Sequence, residues 1–224
     1  MTLSINIVDQ HSSALVSMGV KKSNPSQLTI VYQTCEQYTV QGERYNNYMV
    51  VITEGLSNPV GKAPLLIFSG LAASRTPKQL VLDTQLDLLN NNYTVALALG
   101  DEIPKTICSY SQLTKGQTGA SFVNKVALEA IETTGNELTV CVRYQCLDGV
   151  EPAENGDSIV VFDITGCAQA IGSERLNTER RSGVIPVTLK GVQAGALMSV
   201  GYYLGNEYGA CASRQRFRLQ ESKA

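Results

Sequence analysis

The chain has 224 residues, 43% hydrophobic and 17% charged, with a formal net charge of −2 at pH 7. That length allows one large domain or two smaller ones and is ample to bury a core without covalent staples. The near-neutral charge excludes the electrostatic footprint of a nucleic-acid or anionic-membrane binder, and no window approaches the roughly 18 consecutive apolar residues of a membrane-spanning helix.

Composition points to β structure, with 19 glycines, ten tyrosines and no tryptophan. Residues 1–22 lack a basic stretch followed by an apolar run, so no signal peptide is expected and synthesis in the cytosol is. Cys35, Cys108, Cys141, Cys146, Cys167 and Cys211 are scattered and form no C-x-x-C pair. They are expected to be reduced and structural, with no zinc site.

In chain order, residues 4–8 (SINIV) read as a first strand or an extended arm that pairs with a neighbouring chain. Ile5 and Ile7 are therefore candidate interface residues. Asn24-Pro25 marks a turn, after which Leu28, Ile30 and Tyr32 alternate with Thr29, Val31 and Gln33 as a short strand. The apolar runs at 48–52 and 65–68 read as buried strands. A helix is predicted near residues 77–90. Thr76 takes the cap, Pro77 the first helical position, and Gln79 stands three residues after the cap. Leu82, Leu86 and Leu89 follow at helical spacing, although Leu80, Leu82, Leu86 and Leu88 also fit a period of two. At 93–99, Tyr93, Val95, Leu97 and Leu99 alternate with small residues, giving a strand with one large-residue and one small-residue face. The polar, glycine-containing stretch 101–121 carries the expected domain boundary, with domains at 1–117 and 118–224.

Val126, Leu128 and Ala130 open the second domain as a strand, with a helix over 121–132 as the alternative. Residues 138–144 alternate most cleanly of all and read as a half-buried strand. An acidic loop at 148–157 leads into a strand at 158–164, and a charged connection at 172–182 leads into 184–189. Pro186 demotes that last segment to an edge strand or a bulge, since proline cannot donate to a ladder. Strands at 198–204 and 214–219 close the chain. The expected fold class is mainly β. It comprises two β-rich domains, the first with one helix and the second an immunoglobulin-like β-sandwich of six or seven strands without the antibody tryptophan.

Catalytic signals are absent. His11, the single histidine, lies in a flanking segment, and there is no G-x-S-x-G elbow to use it. Residues 55–62 superficially resemble a phosphate loop. They have five residues between the glycines, however, with Pro59 inside, Ala63 after Lys62 and a strand following. The acidic loop lacks the ligand order of an EF-hand and reads as solvated. Arg175, Arg180 and Arg181 are balanced by Glu174 and Glu179 as a salt-bridged loop. No catalytic residue, metal or cofactor is expected. Tyr202, Tyr203 and Tyr208 fall near one end of the second domain. Alternation places Tyr202 inside, which leaves Tyr203 and Tyr208, with Pro186, as further interface candidates.

Those segments resemble an uncharacterised family of Bacteroidota and phage-associated proteins. The similarity lies in Thr76-Pro77-Lys78-Gln79-Leu80, then residues 135–144, the acidic loop, 157–163, an arginine-containing turn, 184–189 and 198–203. The chain departs from that family in lacking tryptophans in its first half and in the strand at 138–144. The resemblance implies a β-rich structural protein, a virion component, and no catalytic residue. The expected function is thus a non-enzymatic structural or assembly protein of a phage virion, capsid- or tail-associated, or of a similar multi-subunit assembly. Its expected partners are other protein subunits, as a homo-oligomer or larger particle, with no nucleic acid and no membrane insertion. Its expected location is the virion after cytoplasmic synthesis, or else the cytoplasm. A ligand- or glycan-binding adhesin-like module is the alternative.

Overall fold

The computed structural model describes residues 3–8, 16–35, 37, 47–100, 105–134, 137–205 and 210–221. In chain order the first strands are β1 (Leu3–Ile7), β2 (Ser17–Ser23), β3 (Gln27–Gln33), β4 (Tyr48–Glu54), β5 (Leu66–Leu71), β6 (Lys78–Asp83), β7 (Asn92–Leu99), β8 (Ile107–Thr114) and β9 (Gln117–Val123). There follow β10 (Lys125–Thr134), β11 (Glu137–Gln145), a short helix α1 (Pro152–Asn155), β12 (Ser158–Asp163), β13 (Gln169–Arg175), β14 (Ser182–Leu189), β15 (Leu197–Tyr203) and β16 (Cys211–Glu221). Among the described residues no helix is long and apolar enough to cross a membrane.

The strands pair into four antiparallel sheets. In the N-terminal half the orders are β2-β3-β6 and β5-β4-β7-β8-β9; in the C-terminal half they are β10-β11-β14 and β1-β16-β15-β12-β13. The C-terminal half is an immunoglobulin-like β-sandwich, its first, second and fifth strands forming one sheet and its third, fourth, sixth and seventh the other. The N-terminal half repeats that connectivity, strand for strand, from β2 to β8. The duplication is topological and has no counterpart in a sequence repeat.

The two halves share strands. β9 pairs with β8, the last strand of the first sandwich, and after the single residue Asn124 the chain enters β10 of the second. β1 precedes the first sandwich in sequence but pairs with β16, the last strand of the second, in the register Leu3↔Glu221 to Ile7↔Phe217. Each sandwich therefore has its final strand extended by the strand that leads into the other. The boundary expected at 117/118 falls at the start of β9, and the crossing itself lies at Asn124.

The predicted helix at 77–90 is a strand followed by turns. β6 runs antiparallel to β3, from Tyr32↔Lys78 to Gln27↔Asp83. The period-two leucines win because Leu82 is buried in the core and Leu80 packs against it. Gln79, expected as a capping side chain, instead accepts a hydrogen bond from Lys21 Nζ at 2.9 Å. Beyond β6, Thr84 N–H donates to Ser26 O, and Asp87 accepts the side-chain amide of Asn90 while Leu88 is fully buried. The run at 65–68 also differs from expectation. It belongs to β5, an edge strand, with Leu65 and Ile67 nearly half exposed.

The large face of β7 (Tyr93, Val95, Leu97, Leu99) and its small face (Ala96, Ala98) are both buried. β4 and β15 are likewise buried on both faces, apart from Glu54 and the half-buried Leu197. These strands lie in the middle of each five-stranded sheet, so the sheets are covered on both sides. In the C-terminal half one cover is the three-stranded sheet, where Tyr144 and Tyr202 have ring centroids 6.4 Å apart.

Candidate interface

β1 alternates as its sequence demands. Ile5 and Ile7 are half-buried and pack against the core, whereas Asn6 is exposed. The ladder with β16 is prolonged by Val8 N–H, which donates to Arg216 O at 3.0 Å. Val16 also bonds this strand, its amide donating to Ala212 O at 3.0 Å. The pairing expected for Ile5 and Ile7 with a neighbouring chain is thus made within the chain itself, at the edge of a sheet.

Pro186 lies on β14, the edge strand of its sheet, opposite Cys141. Cys146 N–H bonds Arg181 O, and hydrogen-bonded and non-bonded pairs alternate along an antiparallel ladder. The Cys141↔Pro186 pair is five steps further on in an unbroken register, so it is a non-bonded pair. The proline nitrogen points away from β11, and no ladder bond is lost.

Tyr203 is corrected from surface to interior. It is 1% exposed, with its ring 5.8 Å from Phe162. Alternation puts Tyr202 and Tyr203 on opposite faces of β15, but both faces are covered. Tyr208, like His11, lies outside the described residues.

Near Tyr203 the halves are joined by a buried polar network. Gln37 is its hub: its Nε2 donates to Cys211 O at 2.9 Å and to Tyr48 Oη at 2.8 Å, while its Oε1 accepts Cys211 N–H at 2.7 Å. Tyr48 Oη donates to Cys35 O at 3.2 Å, and Cys35 Sγ donates to Cys211 O at 3.4 Å. Hydrogen bonding to the Cys211 side chain and burial push the Cys35 thiol well above its ordinary range. Burial also raises Tyr48 and Tyr203. These groups stay protonated and serve as donors. Nothing in the local sequence around Gln37 signals the role, because the backbone it bridges to, at Cys211, lies on a strand remote in the chain.

A second buried group lies at the mouth of the C-terminal sandwich. Asp157 accepts from Tyr202 Oη at 2.5 Å, from Asn155 Nδ2 at 2.7 Å and from Gly205 N–H at 3.0 Å. Burial raises its carboxyl to about 6, against the pull of those three donors. The rest of the acidic loop is spread out. Asp148 pairs with Arg181, and Glu154 lies in the first turn of α1. Among the described residues no three acidic, cysteine or histidine side chains cluster to hold a metal ion.

Two open grooves flank the junction. One, of about 410 Å³, is lined by Phe122, Lys125, Gln145, Asp148 and Arg181 among others. The other, of about 370 Å³, lies between Asn58 and Lys105 of the first half and residues 149–151 and 154–155 of the second. The junction is further tied by Tyr110 Oη donating to Asp148 O at 3.3 Å and Asn155 Nδ2 donating to Lys105 O at 3.2 Å.

No protein-family model and no curated protein matches the chain. Among solved structures it is similar to the FN1-FN3 domains of chicken CNTN1, at 11% identity and a TM-score of 0.27, over 92% of this chain and 63% of that one. It is also similar to the chicken interferon gamma receptor alpha chain, at 12% identity and a TM-score of 0.29, over 92% of this chain and 100% of that one. The chain spans 63% of the length of the CNTN1 segment. At such TM-scores these likenesses carry no weight, and the fold assignment rests on the strand pairing.

Proposed function

We propose that this chain is a non-enzymatic assembly subunit, a structural component of a phage virion or a similar multi-subunit particle, whose partners are protein subunits. The observation that carries this reading is the β1–β16 ladder. A strand from one end of the chain is added to the edge of a remote sheet, which is how sheet edges take up partners in protein assemblies. The resemblance to phage-associated proteins supports the virion setting. The chemistry of the buried groups supports a structural role. Asp157 and Cys35 are closed off from solvent and committed to hydrogen bonds within the fold, leaving them no room to meet a substrate.

Light scattering on the purified chain, with negative-stain electron microscopy, tests the reading together with the identity of the flanking genes. The expected results are self-association or incorporation into particles, and neighbours that encode other particle components. A chain that stays monomeric and joins no particle overturns it. Specific binding on a glycan array, without assembly, favours an adhesin-like module instead.

A further inference from the structure

We propose that Cys35 and Cys211 join in a disulfide when the folded chain meets hydrogen peroxide, locking its two halves together covalently whether or not the chain assembles.

The placement of the two thiols carries the proposal. Cys35 follows β3 in the first sandwich, and Cys211 opens β16 in the second. They stand 176 positions apart in sequence, yet Cys35 Sγ lies 3.4 Å from Cys211 O, and the two side chains hydrogen-bond to each other. Gln37 holds both in place. Its Nε2 is 3.5 Å from Cys35 Sγ, and its Oε1 accepts Cys211 N–H at 2.7 Å. Gly201 on β15 leaves room for the second sulfur, since a Cβ there would stand 3.1 Å from Cys211 Sγ. The other buried thiols are turned to different partners. Cys108 Sγ bonds Thr106 O, and Cys146 Sγ bonds Val150 O, both at 3.5 Å.

The surroundings also divide the roles. Burial opposes ionisation of Cys211. The bond from Cys35, the Arg214 guanidinium and the Tyr203 hydroxyl outweigh it and draw this thiol below its ordinary range. Cys211 is therefore the nucleophile, because the thiolate is the reactive form. Its sulfur attacks one oxygen of the peroxide and the O–O bond breaks. The sulfur becomes a sulfenic acid, and the departing hydroxide takes up the proton that Cys211 had lost. Cys35 sulfur then attacks the sulfenic sulfur. The S–S bond forms, the S–O bond breaks, and a second water leaves with the Cys35 proton. Two thiols have lost two electrons and two protons, and one peroxide has become two waters. Peroxide is small enough to enter through local fluctuations of a closed junction, without separation of the halves. The new bond closes most of the chain into one loop.

The test uses a reduced Cys167→Ser chain, which lacks the exposed thiol that could link separate molecules. It is treated with hydrogen peroxide in native buffer. Remaining thiols are alkylated in denaturant and the peptides mapped by mass spectrometry. The expected product is one linked pair, Cys35 with Cys211, with Cys108, Cys141 and Cys146 alkylated. The oxidised chain should unfold at higher urea than the reduced chain, and dithiothreitol should return the midpoint to its reduced value. A chain in which Cys35 and Cys211 stay reduced, or in which either pairs with Cys108, overturns the proposal. The expected disulfide with an unchanged midpoint overturns the lock. Equal yield of the same pair from chain oxidised in urea would show that the fold does not select it. Light scattering on the reduced chain tests assembly separately, so either reading can fail alone.

Discussion

Tyr202 Oη lies 2.5 Å from Asp157 Oδ2, and the carboxyl that accepts this bond is only 1% exposed. Burial raises that carboxyl from 3.8 to about 6 in the folded chain. Between about pH 4 and 6 the folded state therefore holds a proton that the unfolded state has lost, so stability falls as pH rises through this window. Two pH units correspond to about 3 kcal/mol, an order-of-magnitude figure. Asp157→Asn removes this term. Urea denaturation of wild type and variant from pH 4 to 7 should show the wild type losing stability relative to the variant as pH rises. Tyr202→Phe removes a donor to the carboxylate and should shift the window to higher pH. A pH-independent difference between Asp157→Asn and wild type would count against this assignment.

Much of the sheet pattern was legible in the sequence, and the failures have physical causes. Residues 138–144 and 93–99 alternate cleanly, and they became β11 and β7. Lys78–Asp83 carries a helical signal because Thr76-Pro77-Lys78-Gln79 imitates helix capping, whereas a tertiary partner, β3, makes it a strand. β8 was hidden by polar residues at core positions, Ser109 and Ser111, both fully buried. β13 was hidden by its charges, which an edge strand tolerates. The β1 strand was visible, but its partner lies more than 200 residues away in register with Phe217 and Leu219. No local pattern encodes a pairing of that range, and the Gln37 network was invisible for the same reason.

Gln37 is the most exposed to test within that network. Gln37→Leu keeps the volume and removes the donor to Tyr48 and to Cys211 O together with the acceptor for Cys211 N–H. Three buried polar groups lose a partner, for a destabilisation of about 2–5 kcal/mol. Chemical denaturation measures the loss, and hydrogen exchange at the Cys211 amide should accelerate beyond that of amides deeper in β15. A loss below about 1 kcal/mol would mean that water or a neighbour replaces the side chain.

Gly172 on β13 is needed for close approach. A Cβ there would stand 2.6 Å from Thr188 O and 2.8 Å from Leu189 Cδ2, against the backbone and core end of β14. Gly172→Ala should destabilise by about 1–3 kcal/mol or more through overpacking. Gly166 provides the matched control, since a Cβ there meets nothing within 4 Å. Gly166→Ala should fall within about 0.5 kcal/mol of wild type. Thermal melts of the two variants separate the claims, and equal effects would place the cost outside the β13–β14 contact.

The thiols report whether the two sandwiches unfold as one body. Cys167 is exposed and should react first with a maleimide under native conditions. Cys141 is half-buried and raised by burial and by Glu132, so it should follow more slowly and speed up with pH. Cys35, Cys108, Cys146 and Cys211 are buried, and their reaction requires opening. Cys35, Cys108 and Cys211 gather at the junction, whereas Cys146 lies just after β11, within the second sandwich beside Tyr202 and Asp157. Two independent sandwiches joined by a weak contact would part before either unfolded, exposing Cys35, Cys108 and Cys211 at lower urea than Cys146. Shared strands argue for the opposite. Separation of the halves must break the β1–β16 ladder and pull Asn124 from its bonds to Cys108 and Leu147. Pulse labelling across a urea series, read by mass spectrometry, should therefore show all four buried cysteines becoming reactive in one transition.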